Sequence, residues 1–318
     1  MTFEDLFNEW NDDSDFITAC SSGSTGKPKT IKLDKEFVKE SALRTISFFK
    51  LDKDSRLHSC VSPDYIGGKM MAIRSWILGA CFSWEVPSNK PLIDIDISSV
   101  FDLVAIVPSQ MFFLLENKQR LPRIKNYLIG GSSLSDVLKN KIEESGIDAF
   151  ESYGMTETAS HIALRKIVAE DLPFTTLPGI KVSLNADETL SIHFKNGNHI
   201  KTNDLAKVIS DTEFYIVGRK DNVIISGGKK INPVELEKRI SPFIKKPFII
   251  TGLPDDKWGE KVVLIIETAP FDEKILRREI STVLKSWEMP KDIRFVNQLP
   301  ITKNGKAIRN KSILEKLF

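Results

Sequence analysis

No stretch of this chain stays apolar for anything near the 18 residues that a membrane-crossing helix needs, so a membrane span is not expected. Cysteine is scarce. Cys20, Cys60 and Cys81 make three, an odd number without regular spacing, which argues against a disulfide framework and for a reducing compartment. The four histidines, His58, His161, His193 and His199, show no metal-ligand spacing, and a surface or core role is expected of each. Neither sign of charge is in excess: 45 basic against 43 acidic residues leave +2. Neither nucleic acid nor a membrane surface is therefore expected as a partner. There is no internal repeat, no low-complexity segment and no Ser-His-Asp or Cys-His arrangement of a protein nucleophile. A signal sequence is not expected either, because Phe3-Glu4-Asp5 puts acids where its basic n-region would lie. A cytoplasmic protein is expected.

What is there suits a globular chain of two domains: 318 residues, 41% hydrophobic and 28% charged. An amphipathic helix is expected over residues 35–49, with Phe37, Val38, Ala42, Ile46 and Phe49 close to one face. Leu103-Val104-Ala105-Ile106-Val107, stopped by Pro108, and Tyr127-Leu128-Ile129 read as strands buried on both faces. Further strands are expected near 57–61 and 82–86, with helices near 69–78 and 109–116 and one to residue 144 that Ser135 caps. Strands alternating with helices imply an α/β domain with a substantially parallel sheet. Ligands of such sheets sit beyond the C-terminal strand ends, where loops at 62–68, 130–133 and 152–158 are expected.

From residue 180 short strands separated by turn residues predict a small β-layer. A second αβ pattern follows, with Asn232-Pro233-Val234-Glu235 as a strong helix start and a helix over 272–287. The expected fold is a large N-terminal αβ domain, 1–219, with a small β-layer, and a small C-terminal α+β domain, 220–318.

The most informative stretch is Cys20-Ser21-Ser22-Gly23-Ser24-Thr25-Gly26-Lys27-Pro28-Lys29-Thr30. Small residues let backbone N–H groups approach an anion, hydroxyls donate to it and lysines neutralise it. The P-loop of nucleotide hydrolases is excluded, since only Ser24 and Thr25 separate Gly23 from Gly26 and Pro28 follows Lys27. By itself the stretch is either an anion cradle or a flexible turn. Ser152-Tyr153-Gly154-Met155-Thr156-Glu157-Thr158 places a hydroxyl beside a carboxylate, able to hold a phosphate oxygen and a magnesium ion. Its simpler reading is a helix start capped by Thr156.

Together these motifs resemble the adenylate-forming enzymes of the acyl-CoA synthetase superfamily. Ser22-Gly23-Ser24-Thr25-Gly26-Lys27-Pro28-Lys29 resembles that family's phosphate loop, and Tyr153-Gly154-Met155-Thr156-Glu157 its adenine and magnesium motif. Thr202-Asn203-Asp204 resembles its ribose motif and Gly218-Arg219-Lys220-Asp221 its hinge. Ser226-Gly227-Gly228-Lys229-Lys230-Ile231-Asn232-Pro233-Val234-Glu235 continues the hinge motif. Pro300-Ile301-Thr302-Lys303-Asn304-Gly305-Lys306 resembles the motif of the catalytic lysine. The six occur in the family's order.

The resemblance implies an acid–thiol ligase working in two steps with ATP, Mg2+ and CoA. A carboxylate attacks the α-phosphate to give an acyl-adenylate, and a thiol then displaces AMP. It implies that Ser21, Ser22, Gly23, Ser24, Thr25, Gly26, Lys27 and Lys29 hold the β- and γ-phosphates. Gly130, Gly131 and Ser132 would line the adenine, which Tyr153 stacks on, within the nucleotide set Ser152, Tyr153, Gly154 and Met155. Thr156 takes the α-phosphate, Glu157 the magnesium, and Asp204 the ribose beside Arg219. Lys306 bridges carboxylate and α-phosphate. Asp221 is the hinge about which the C-terminal domain rotates between steps, bringing Ser226, Gly227 and Gly228 to the thiol. The simpler readings are a turn residue for Asp204, a surface ion pair for Arg219 and a solvated lysine for Lys306.

Tyr65-Ile66-Gly67-Gly68, Ile73-Arg74-Ser75-Trp76, Val107-Pro108-Ser109-Gln110 and Met155-Thr156-Glu157-Thr158-Ala159-Ser160 resemble the o-succinylbenzoate–CoA ligase branch, which serves menaquinone synthesis. An acyl and thiol pocket of Gly68, Arg74 and Ser160 with Ser226, Gly227 and Gly228 follows, in which Arg74 would hold a diacid's free carboxylate. The alternative places Arg74 in solvent or against an acidic neighbour. A ligase for another aromatic or medium-chain acid and a non-catalytic adenylate binder are the competing functions. Two departures stand out. Asn203 replaces a usual glycine, and Asn tolerates the left-handed conformation a turn requires. The family also normally carries a further subdomain ahead of the phosphate loop, where 20 residues stand here. A naturally trimmed form or homo-oligomer would compensate.

Overall fold

The computed structural model describes residues 1–21, 29–300, 308–309 and 311–315. The chain divides into two compact units. The first comprises Met1–Lys181, His193–Asn198 and Ser210–Glu213, and the second Val182–Ile192, His199–Ile209 and Phe214–Phe318.

In the first unit the expected parallel sheet is present. Strands Cys81–Trp84, Arg56–Ser59, Leu103–Ile106, Tyr127–Ile129 and Ala149–Met155 lie side by side in that order, each pair parallel. Leu103–Ile106 and Tyr127–Ile129 are buried along their whole length, which is why their sequences are uninterrupted apolar runs. The sheet then changes direction, and Ser160–Lys166 and Phe174–Thr176 continue it antiparallel. Helices Pro108–Glu116 and Asp136–Ser145 cover it through Met111, Leu114, Leu138 and Ile142, which pack with Val104, Ile106, Tyr127 and Ile129.

A two-stranded hairpin, Phe16–Ser21 against Lys29–Asp34, joins helices Lys35–Phe49 and Ile66–Leu78 in a separate cluster. Ile17, Ala19, Leu33, Val38, Ala42, Met70, Ile73 and Ala159 form it. Burying such a side chain contributes about 1.5–3 kcal/mol for the larger members. Asp34 starts the first of these helices, its carboxylate accepting from Phe37 N at 2.9 Å. Ser135 caps Asp136–Ser145 through Leu138 N at 3.2 Å, as expected.

The second unit holds strands Ile180–Leu184, Thr189–Phe194, His199–Val208 and Glu213–Arg219, hydrogen-bonded in that order. The ends of three of these strands belong to the first unit. A five-stranded sheet follows: Lys229–Ile231, Ile224–Ser226, Gly259–Glu267 and Phe248–Asp255, with Asp292–Val296 parallel to Gly259–Glu267. Helices Pro233–Ile240 and Lys274–Ile280 close its core through Leu236, Ile240, Leu276 and Ile280. Among the described residues no helix is long and apolar enough to cross a membrane.

Three local expectations are corrected. The helix expected over 272–287 ends at Ile280. Beyond it the Ser281 and Thr282 hydroxyls donate to the Arg278 and Glu279 carbonyls, and such side-chain bonding competes with helix continuation. Asn203 stands within the His199–Val208 strand without a positive φ, so no turn needs it there. Residues 152–155 belong to a strand instead of a loop.

Asn232 both caps and clamps. Its Oδ1 accepts from Val234 N at 3.1 Å, and its Nδ2 donates to Val217 O at 2.7 Å. Asn232→Ala removes both bonds and is expected to lower unfolding free energy by about 2 kcal/mol, read from urea denaturation.

Candidate active site

The reversal between the Ala149–Met155 and Ser160–Lys166 strands is the best-formed part of the site. Met155 pairs with Ser160, and a short 3-10 turn, Thr156–Thr158, connects the strands. The Thr158 hydroxyl closes it, accepting from Met155 N at 3.0 Å and lying 2.6 Å from Ser160 O. Thr156 is buried, and Glu157 is exposed. Ala159 at φ 50° and Ser160 at φ 87° both take positive φ without being glycine, a conformation that persists only under external restraint. The restraint is visible. Ser41 Oγ, on the Lys35–Phe49 helix, donates to Ala159 O at 2.7 Å, and Ala159 packs in the cluster beneath the hairpin.

Gly154 has a packing reason. A Cβ there would lie 2.2 Å from Ser160 O and 2.4 Å from His161 Cα, so the two strands approach only over a bare α-carbon. The same holds at Gly68, where a Cβ would meet Ser62 O at 2.3 Å. Gly130, at the end of the Tyr127–Ile129 strand, faces Ser152, whose hydroxyl donates to Ile129 O at 3.0 Å. Gly131 at φ 93° and Ser132 continue from there. Tyr153 has its ring 5.8 Å from that of Phe174. Thus Gly130, Gly131, Ser132, Ser152, Tyr153, Thr156 and Glu157 gather at the C-terminal ends of two neighbouring parallel strands.

The hairpin reaches this neighbourhood, its strands pairing as far as Ser21 opposite Lys29. The Phe16–Ser21 strand lies against the Thr156–Thr158 turn. Ser22, Gly23, Ser24, Thr25, Gly26 and Lys27 lie outside the described residues, as does Lys306.

Arg74 meets neither alternative set for it, solvent or an acidic partner. It is fully buried. Its Nη1 reaches only Met71 Sδ at 3.7 Å, and Nε and Nη2 have no hydrogen-bond partner among the described residues. Burial pulls its guanidinium down to about 9. Its charge is felt at His161, which burial first, and Arg74 second, hold well below the ordinary histidine range. His161 is the satisfied core residue expected, with Nε2 2.9 Å from Thr45 Oγ1 and Nδ1 3.4 Å from Ser160 Oγ. Lys69 was not singled out in the sequence. It is 2% exposed, 4.0 Å from Glu9, and burial lowers its pKa. The signal was a lysine in the same apolar helix as Arg74.

In the second unit Asp204 and Arg219 are cross-strand partners, 3.3 Å apart. Asp204 is 8% exposed, so a turn residue is excluded. Thr202 orients it: the Thr202 hydroxyl donates to Leu190 O at 2.9 Å and accepts from Asp204 N at 3.1 Å. Asp221 accepts from Arg219 Nη2 at 3.2 Å and Asn203 Nδ2 at 3.3 Å. Ser226 is buried, and Gly227 and Gly228 follow at positive φ, Gly227 under the Trp258 ring. The donors at Thr156 and the carboxylates of Glu157 and Asp204 are of the kind that hold phosphate, a hard divalent cation and vicinal hydroxyls, respectively.

The sequence pattern described as AMP-binding enzyme matches residues 8–192, and that of the AMP-binding enzyme C-terminal domain matches 248–306. The chain is 30% identical to 2-succinylbenzoate–CoA ligase of Listeria monocytogenes, over 96% of this chain and 71% of that one. A solved acyl-CoA synthetase (AMP-forming)/AMP-acid ligase II-like protein from Dyadobacter fermentans is 32% identical. It aligns over 99% of this chain and 93% of its own, with a TM-score of 0.62. The O-succinylbenzoate–CoA synthetase of Bacillus subtilis, solved with ATP and magnesium, shares the fold at a TM-score of 0.77 and 20% identity, over 92% and 68% of the two chains.

Gly154→Ala is expected to lower unfolding free energy by about 2 kcal/mol or more through overpacking against Ser160. An unchanged denaturation midpoint would mean that the strands can part without cost.

Proposed function

The chain belongs to the AMP-binding enzyme family, and on that premise we propose that it is an ATP-dependent acid–CoA ligase converting o-succinylbenzoate to its CoA thioester through an acyl-adenylate, in menaquinone biosynthesis. The observation that carries the substrate is Arg74. A buried guanidinium with two nitrogens unpartnered among the described residues carries a desolvation cost of several kcal/mol that an anion would offset. The free carboxylate of a diacid, held by the planar fork of an arginine, supplies that anion.

The remaining roles follow from the chemistry of the donors. Both half-reactions build negative charge on oxygen, so fixed cations and N–H or O–H donors stabilise them without a protein nucleophile. Thr156 donates to the α-phosphate, Asp204 accepts from the ribose hydroxyls, and Arg219 holds Asp204 in place. Glu157 fits a magnesium ion, being an exposed carboxylate beside a hydroxyl. When bound, that ion neutralises phosphate charge. Ser21, Lys29 and the residues between them hold the departing pyrophosphate, and Lys306 bridges the carboxylate and the α-phosphate. We place the division between domains at residues 219–221, with Asp221 as the position that absorbs the turn between the two half-reactions.

ATP–pyrophosphate exchange with a panel of acids tests the reading, and exchange is expected with o-succinylbenzoate. Arg74→Met is expected to raise KM for this diacid by roughly 10- to 100-fold, the equivalent of losing a charged hydrogen bond. Exchange with aromatic monoacids should change little, and the thermal midpoint should not fall, because the apolar replacement removes an unpaired buried charge. An unchanged KM for the diacid would sink the substrate assignment. Asp221→Pro is expected to slow CoA transfer far more than pyrophosphate exchange; equal losses would contradict the hinge.

A further inference from the structure

His58, Cys60 and Glu85 have no role in the chemistry above. Strand geometry brings them together. Side chains two apart on a strand share a face, so His58 and Cys60, at the end of Arg56–Ser59, point the same way. Parallel register sets His58 opposite Ser83 and Ser59 opposite Trp84. Glu85 N then donates to Ser59 O at 3.2 Å, which puts Ser83 and Glu85 on that same face of the neighbouring strand. The histidine nitrogen, the cysteine sulfur and a glutamate oxygen lie within 4.8 Å of one another.

Each donor is held. His58 Nδ1 is 2.8 Å from Ser83 Oγ, which fixes the ring. Its Nε2 is 3.9 Å from Glu85 Oε2 and has no hydrogen-bond partner among the described residues, although His58 is fully buried. Glu85 accepts from Leu92 N through both oxygens, at 3.1 and 3.0 Å. Cys60 is fully buried as well. A buried polar atom left unpartnered costs about 1–3 kcal/mol, so the His58 nitrogen marks a place where a further group belongs.

We propose that His58 Nε2, Cys60 Sγ and the Glu85 carboxylate form a binding site for a divalent transition ion of the zinc class. Imidazole, thiolate and carboxylate together are zinc donors, whereas magnesium and calcium take oxygen alone. Donor atoms around a tetrahedral zinc stand about 3.5 Å apart, so the cluster closes by about 1 Å on binding. Ser83 and the Leu92 amide are the outer partners that such ligands require. With Ser83 Oγ at Nδ1, Nε2 is the ring nitrogen open to an ion, and an unperturbed cysteine is a thiol at neutral pH. Binding therefore breaks the S–H bond, forms a sulfur–metal bond and releases one proton to solvent. The bound ion would tie the Cys81–Trp84 strand to Arg56–Ser59. The sequence held half of this signal, a histidine two residues before a cysteine. The glutamate joins them only through the sheet register.

A Cys20→Ser, Cys81→Ser protein keeps Cys60 as its one thiol, and its metal-free form is titrated with cobalt(II). One equivalent is expected to bind with a sulfur-to-cobalt charge-transfer absorption that zinc abolishes, and zinc is expected to raise the thermal midpoint as its concentration rises. On that background Glu85→Gln and His58→Gln are each expected to weaken zinc binding at least about tenfold. Absence of the charge-transfer band, or zinc affinity unmoved by both substitutions, overturns the site. Because the band is read with Cys60 intact, a variant that fails to fold leaves the decision unaffected.

Discussion

The contact of Gly154 with the Ser160 carbonyl is the constraint on which the site depends. A side chain at position 154 would collide with the facing strand, so the last parallel strand and the first antiparallel one close up completely over that point. The chain must then reverse within the few residues between Met155 and Ser160. The reversal is paid for in two consecutive non-glycine residues at positive φ. It holds because Ser41 fixes the Ala159 carbonyl and the hairpin cluster buries the Ala159 methyl. Thr156 and Glu157, a hydroxyl beside a carboxylate, ride on this reversal. The helix carrying Arg74 is anchored in the same cluster through Met70 and Ile73. One packed cluster thus underlies both the 156–158 turn and the helix that carries Arg74.

The Ile66–Leu78 helix shows a second theme, cationic groups buried where hydrophobic packing alone would be cheaper. Lys69 has Glu9 at 4.0 Å, a distance at which the pair offsets part of its desolvation. Arg74 has no such offset among the described residues. On the function proposed above, the difference between the two cations separates a structural charge from a recognition charge on one helix. His161 belongs with the structural kind, since both its ring nitrogens are engaged and its neutral state is enforced by burial.

Much of the fold was legible because its causes are local. Leu103–Ile106 and Tyr127–Ile129 are buried on both faces and are written as apolar runs. Ser135 and Asn232 sit at helix starts because their side chains satisfy free amides nearby. The hydroxyl and carboxylate at 156–157 were readable by residue type, but the strand-and-turn form of 152–158 was not, since it depends on a facing strand. Positive φ at Ala159 and Ser160 leaves no mark in the sequence, because alanine and serine take that conformation only under tertiary compulsion. Asn203 misled for the opposite reason: a turn-prone residue was absorbed into a ten-residue strand by its neighbours. Burial of Lys69 and Arg74 is likewise a property of what packs around their helix.

Residues 308 and 309 are each tethered. Ile308 N donates to Pro300 O at 2.8 Å, and one residue on Arg309 makes a two-pronged ion pair with Glu237, 2.6 Å on each prong. Both residues are thereby held to the sheet and helix around Glu237, with Arg309 also donating to Ile250 O at 3.0 Å. A substitution at Glu237 or Arg309 is then felt at residues 308–309 as a loss of anchorage, with the sheet itself left in place.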